Sequence, residues 1–220
     1  MHPILKSIRL DHDILKVYYR AFLVAAYGLA ILIAVLTQKT GFAIVVVMAI
    51  AAPFVGVYFS VYEKNNLSKL YGILPLGKNV VVIGRYLYAL AFGIANVIAA
   101  SLLAYILSLI VNSRLSQLEF LTFATASFAY FCLYIAIQFP IYFEISFSKV
   151  YIFSNLPFYL LAVAAGYLIR KDNLLQQLQQ VIQYFTANPN MIWVTGLGLG
   201  LLLLLISCSL SFLIHQKSEL

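Results

Sequence analysis

Charge is scarce in this sequence. Only 10% of its 220 residues are Asp, Glu, Lys or Arg, while 64% are hydrophobic; soluble domains carry roughly a quarter charged residues. With a mean hydropathy of +0.97, such a chain uses lipid as its main solvent. Acidic residues are the rarer sign, seven against fourteen basic. The resulting net charge of +7 is not gathered into a run. The basic residues stand beside apolar stretches and read as orientation signals, so nucleic acid is not expected as a partner. Cysteine is nearly absent. Cys132 and Cys208 lie inside apolar stretches, without metal-ligand or disulfide spacing, and read as small buried hydrophobes. The three histidines, His2, His12 and His215, all lie near the ends. There is no G-x-x-x-x-G-K-[ST], no H-E-x-x-H and no G-x-S-x-G. No catalytic residue, metal site or cofactor is therefore expected in this chain. A cleavable leader is not expected either: the first 20 residues carry six charges, and the apolar run after Arg20 is too long for a signal core.

What the sequence does have is long apolar runs. Uncharged stretches extend from Ala21 to Leu36, Gly41 to Tyr62, Tyr86 to Val111, Phe120 to Phe143, Val150 to Ile169 and Met191 to Ile214. About 20 residues of helix cross the ~30 Å hydrocarbon core. Lipid admits only helices or closed barrels, and these runs show no period of two. The expectation is an all-α integral membrane protein of one domain, residues 1–220, with six transmembrane helices. They nearly exhaust the chain and leave no room for a soluble catalytic domain. Lys and Arg in the seven flanking segments divide ten against four between odd and even segments. The positive-inside rule then makes both termini cytoplasmic.

Three segments outside the runs carry patterns. In residues 1–20, Lys6, Arg9, Asp13, Lys16 and Arg20 share one face, and Ile4, Ile8, Leu15 and Tyr18 share another. This is an amphipathic cytoplasmic helix, read as lying along the membrane surface. In residues 63–78, Leu67, Leu70, Tyr71 and Leu74 fall at helical spacing, with Glu63, Lys64, Asn66 and Lys69 largely elsewhere, until Pro75 ends the pattern. In residues 173–190, Leu174, Leu175, Leu178, Val181, Ile182 and Phe185 line one face, and five glutamines line the other. An outer amphipathic helix follows, closed by a turn at Asn188-Pro189-Asn190.

Within the runs the polar groups are neutral, among them Asn96, Ser101, Ser108, Ser127 and Gln138. Proton-coupled carriers hold ionisable groups at depth, and every charged residue here reads as lying between or beside the runs. Each neutral group is either an interhelical hydrogen bond or a cargo contact; Asn96, Ser101 and Gln138, with Leu178 and Phe185 outside, are the cargo candidates. Pro53, Pro140 and Pro157 are either packed kinks or hinges. The tyrosines near run ends, including Tyr18, Tyr19, Tyr62, Tyr71, Tyr86, Tyr142 and Tyr151, read mostly as interfacial anchors.

The stretch from Glu63 to Lys78, with its Leu74-Pro75 pair, and the following Val82-Ile83-Gly84-Arg85-Tyr86-Leu87 resemble the first cytoplasmic loop of bacterial type-2 ABC exporter permeases. In that loop an acidic residue, a leucine-rich turn and a Leu-Pro pair precede a basic residue and the next span. Phe139-Pro140-Ile141-Tyr142-Phe143-Glu144-Ile145-Ser146-Phe147-Ser148-Lys149-Val150 is similar to the family's Pro-x-Tyr-Phe-x-Phe-Gly-x-x-Lys-Ala pattern, with Ser146 where glycine is usual. The ending, with Ser207 and Ser211 before a charged tail, resembles the family's last span. Within the family, the chain resembles the small permeases of phenol-soluble modulin export and of bacteriocin export or immunity systems.

The resemblance implies a permease in a bacterial plasma membrane. It also implies a separate ATPase subunit carrying ATP and Mg²⁺, and a second permease subunit, identical or not. Glu63, Lys64, Leu67, Leu70, Tyr71, Leu74 and Pro75 are then the ATPase-coupling residues. The expected activity is outward movement of amphipathic or hydrophobic cargo, peptide or lipid-like. A non-transport immunity or assembly protein and a sodium-coupled carrier are the rival readings.

Overall fold

A computed structural model describes residues 3–65, 77–111, 116–145, 147, 149 and 189–217. All elements among the described residues are helical: α1 Pro3–Lys16, α2 Tyr19–Thr37, α3 Phe42–Lys64, α4 Lys78–Ile110, α5 Gln117–Glu144 and α6 Pro189–Lys217. The five after α1 are each long and apolar enough to cross a membrane. They correspond to the first four apolar runs and the last. The run Val150–Ile169 and the outer helix Leu174–Phe185 lie outside the described residues.

Several boundaries differ from the sequence reading. Tyr19 and Arg20 already belong to α2, and Pro189 and Asn190 open α6 rather than closing a turn. Proline suits a first helical turn, where its missing N–H has no partner to lose. α4 begins at Lys78, two turns before the apolar run, and its 33 residues span about 50 Å. Sequence decides the ends. Ser116 caps α5 by accepting from Glu119 N at 3.2 Å, while Glu119 Oε2 takes Ser116 N–H at 3.1 Å. Gln38, in the left-handed conformation at φ 55°, ends α2.

Close contacts give the helix directions. Phe22 of α2 meets Phe54 of α3 and Phe92 of α4. Gly41, just before α3, lies against Phe123 near the start of α5, and Gly56 lies against Tyr142 near its end. Gly196 of α6 approaches Thr125, Gly200 approaches Cys132, and Ser207 bonds Ala136. Thus α3, α5 and α6 run one way and α2 and α4 the other. The finish of α3, α5 and α6 and the start of α2 and α4 share one end of the bundle with α1. Among the described residues, Lys39 is the one Lys or Arg at the opposite end. We refer to the two as the basic end and the far end.

Small residues let the helices approach. Ala26, Ala30 and Ala34, a turn apart, are fully buried on α2, which packs mainly against α3. The most extensive contact among the described helices joins α5 and α6. A Cβ at Gly93 of α4 would clash with the edge of the Phe131 ring of α5, whereas Gly28 and Gly198 have nothing near them. Gly93→Val should therefore lower stability in detergent by about 1–3 kcal/mol, the usual overpacking cost, seen as an earlier thermal unfolding midpoint. Gly198→Ala should leave that midpoint unchanged.

Candidate coupling site

The last turns of α3 present Tyr58, Phe59 and Tyr62 toward α4 at the basic end, and Phe143 joins them from the end of α5. Between these rings lies Arg85, two turns into α4 and only 6% exposed. Its guanidinium carbon is 4.4 Å from the Tyr58 ring centroid, 4.7 Å from Phe59, 4.9 Å from Tyr62 and 5.1 Å from Phe143. Nη2 also donates to the Tyr58 hydroxyl at 3.3 Å. A guanidinium suits this place because it is weakly hydrated and planar, and so stacks on aromatic faces.

α1 closes the site from the side. Gly84 has no Cβ, and one added there would strike Ser7 Oγ and Cβ at 2.5 and 2.8 Å. This lets α1 lie directly on α4. One turn beyond Ser7, Asp11 is 1% exposed. It lines a cavity of about 10 Å³ with Val55, Tyr58, Phe59, Arg85, Tyr88 and Phe139, a space the size of one water. The Tyr19 and Tyr88 hydroxyls bond to each other, and Tyr19 also meets His12 Nδ1 at 3.1 Å. The junction of α1 with α2 is thereby held on α4.

These positions sharpen three sequence readings. Arg85, read as a charge flanking the third run, lies within helix α4 and is buried among rings rather than exposed. α1 carries the expected basic face, with Lys6, Arg9 and Lys16 exposed, and Arg20, also exposed, stands in the first turn of α2. Its other face packs on α4 and α3, with Ser7 and Asp11 buried at its centre. The tyrosines Tyr19, Tyr62, Tyr86 and Tyr142 turn toward neighbouring groups of the bundle, where Tyr88, Arg85, serines and glutamine respectively meet their rings or hydroxyls. Tyr18, 41% exposed, still fits an interfacial anchor.

Of the coupling residues, Glu63 and Lys64 form the last turn of α3, directly after Tyr62. Leu67, Leu70, Tyr71, Leu74 and Pro75 lie outside the described residues, as do Leu178 and Phe185. Asn96 is buried; it accepts from the Tyr27 hydroxyl of α2 at 3.1 Å and donates to Phe92 O at 2.9 Å. Gln138 is buried and accepts from Tyr142 at 2.7 Å. Ser101 is half-buried on α4, a turn beyond Asn96. Asn96 bonds across to α2 and Gln138 along its own helix, so both already have protein partners.

Removing the guanidinium would leave four rings and a buried carboxylate around an empty space. Arg85→Ala should cost about 3–5 kcal/mol, the usual loss when one member of a buried charged group is removed. Arg85→Lys should recover little of it, because an ammonium is strongly hydrated and lacks the planar fork. Thermal unfolding of the purified variants in one detergent checks both.

A model of the family described as ABC-2 family transporter protein matches residues 9–216. No curated protein and no solved structure matches the chain. The match runs from the second turn of α1 to the last turn of α6 and takes in Arg85, the four rings around it and Asp11. With five described helices able to cross a membrane, the chain is a multi-pass membrane protein and belongs to the ABC-2 transporter family.

Proposed function

We propose that this chain is the permease subunit of an ATP-driven exporter, working with a separate ATPase that holds ATP and Mg²⁺ and with a second permease subunit. The carrying observation is the Arg85 site. Residues 63–78 leave α3 directly after Tyr62 and re-enter α4 two turns before Arg85. Both ends of that segment are therefore tied to one guanidinium, and so are α5 through Phe143 and α1 through the shared cavity. A displacement of the segment reaches four helices at once. Leu67, Leu70, Tyr71 and Leu74 supply the apolar face that docks on the ATPase, with Glu63 and Lys64 at its rim and Pro75 as a stiff exit. Rim charges add little to affinity, so the apolar anchors dominate it.

The basic end faces the cytoplasm of a bacterium in this reading, with the protein in the plasma membrane. The helix directions support it: α1 and the finish of α6 lie at the same, basic end, as the positive-inside rule requires. They also support six spans, because α5 finishes at the basic end and α6 starts at the far end. The chain between them returns across the bilayer, and Val150–Ile169 is long enough to do so. The cargo is amphipathic or hydrophobic, peptide or lipid-like. Its route follows Asn96, Ser101 and Gln138 toward Leu178 and Phe185 of the outer segment, with the buried amides exchanging partners as it passes.

Two measurements test the reading. In intact cells, a Gln180→Cys variant should react with an impermeant thiol reagent and Ser218→Cys should not; the reverse pattern would overturn the orientation. Leu70→Ala with Tyr71→Ala should lose at least tenfold in ATPase copurification and abolish cargo-stimulated ATP hydrolysis while the bundle stays folded. Full retention of partner and turnover would remove the segment from the coupling path.

A further inference from the structure

Pro140 has no N–H, so within α5 the carbonyl of Ala136 loses its helical donor. In a bundle surrounded by lipid no solvent replaces it. Ser207 of α6 does: its hydroxyl donates to Ala136 O at 2.7 Å. A serine has one hydroxyl hydrogen. With that hydrogen given to Ala136, Ser207 must accept from the Tyr86 hydroxyl of α4, 2.6 Å away. Tyr86 in turn accepts from Ser211 at 2.8 Å. The chain therefore has one direction, from Ser211 through Tyr86 and Ser207 to the Ala136 carbonyl. It crosses three helices, and its three hydroxyl-bearing residues are all buried. The spacing of Ser207 and Ser211, one helical turn, lets a single phenol meet both.

The register of α6 on α5 is fixed independently. Two turns before Ser207, a Cβ built on Gly200 would stand 3.3 Å from Cys132 Cβ and 3.7 Å from Ala129 Cα. A bend acts as a hinge only where its orphan carbonyl can change partners freely. Here the donor belongs to another helix and is itself held by a second hydroxyl, so opening the bend disrupts the whole chain.

We propose that Ser207, Tyr86 and Ser211 form a lock that replaces the hydrogen bond removed by Pro140 and fastens α4, α5 and α6 into one body. Pro140 is then a fixed bend, and motion during transport lies elsewhere in the subunit. The lock itself does not depend on the exporter reading; the statement about transport does.

The test of the lock is a double-mutant cycle in the full-length protein carrying Cys208→Ala, so that the buried Cys132 thiol reports opening. Ser207→Ala should speed the labelling of Cys132 by a thiol reagent roughly tenfold, the usual effect of leaving a buried acceptor unmet. In a Pro140→Ala background, where the restored backbone N–H reaches the Ala136 carbonyl, the same change should have less than about a twofold effect. Equal effects in the two backgrounds would overturn the lock. Should Pro140→Ala not fold, Ser207→Thr decides: it keeps the hydroxyl and should label as slowly as the parent, and labelling as fast as Ser207→Ala would overturn the proposal. For the fixed bend, Gly200→Cys places a thiol beside Cys132 at a separation close to disulfide geometry. Oxidising the pair should leave at least half of the cargo-stimulated ATP hydrolysis of the reduced protein. Loss on oxidation, restored by a reductant, would make Pro140 a hinge. A reduced variant and a parent both without coupled hydrolysis would count against the exporter reading instead, and the labelling cycle would still judge the lock.

Discussion

Hydrocarbon offers no hydrogen bonds, so each backbone polar group that this chain brings into the bilayer has to find its partner within the protein, and most of the buried side chains do the same. The helices meet that demand along their lengths, and threonine hydroxyls meet theirs by donating to the carbonyl one turn back. Thr37 donates to Ile33 O at 2.7 Å, Thr122 to Leu118 O at 2.8 Å and Thr125 to Leu121 O at 2.7 Å. Asn96, Gln138 and the Tyr86 cluster meet it between and along the spans. Polar side chains inside this bundle act first as internal partners, and a cargo has to compete with those bonds.

Arg85 is the most demanding of these groups, because an ion leaving water loses several kcal/mol even after relaxation. Four rings and the Tyr58 hydroxyl offset that loss, a desolvated ring contact contributing up to about 2 kcal/mol. The carboxylate of Asp11 sits in the same cavity. This concentrates affinity at one point, where α1, α3, α4 and α5 converge, instead of spreading it along the helices. It also makes the point sensitive to any change in the angle between α3 and α4.

Much of this was legible in the sequence. The apolar runs gave five of the described helices to within a turn or two at most ends, because nothing but helix satisfies a long uncharged backbone in lipid. The face of Ile4, Ile8 and Leu15 on α1 was legible too. What covers it was not, although Asp11 falls on that same face at helical spacing, and a carboxylate among apolar neighbours points to protein rather than lipid. The place of Arg85 within a helix was not legible from the run itself, because a run of uncharged residues stops at any charge, whereas a helix does not. Val80 to Ile83 ahead of it were the available signal, since they continue the apolar character on its other side. The tyrosines near run ends look alike in sequence; whether a phenol faces lipid or a neighbouring helix depends on helix rotation, which aromatic content does not encode. Ser207 and Ser211 were visible as a spaced pair, but the bond from Ser207 to a carbonyl 71 residues earlier exists only in three dimensions.

The shared direction of α3, α5 and α6 has an electrostatic consequence. Peptide dipoles add along a helix, to about half a negative charge at its C-terminus and half a positive charge at its N-terminus. Three negative helix ends and two positive ones therefore meet at the basic end among the described spans, and the surplus is reversed at the far end. Lys64, Lys149 and Lys217, following or closing the three C-termini, stand where a cation is favoured. Glu119, in the first turn of α5, stands where an anion is. The main chain thus has a polarity of its own along the bundle, complemented by Lys64 and Glu119 and opposed by Glu63, Glu144 and Arg20.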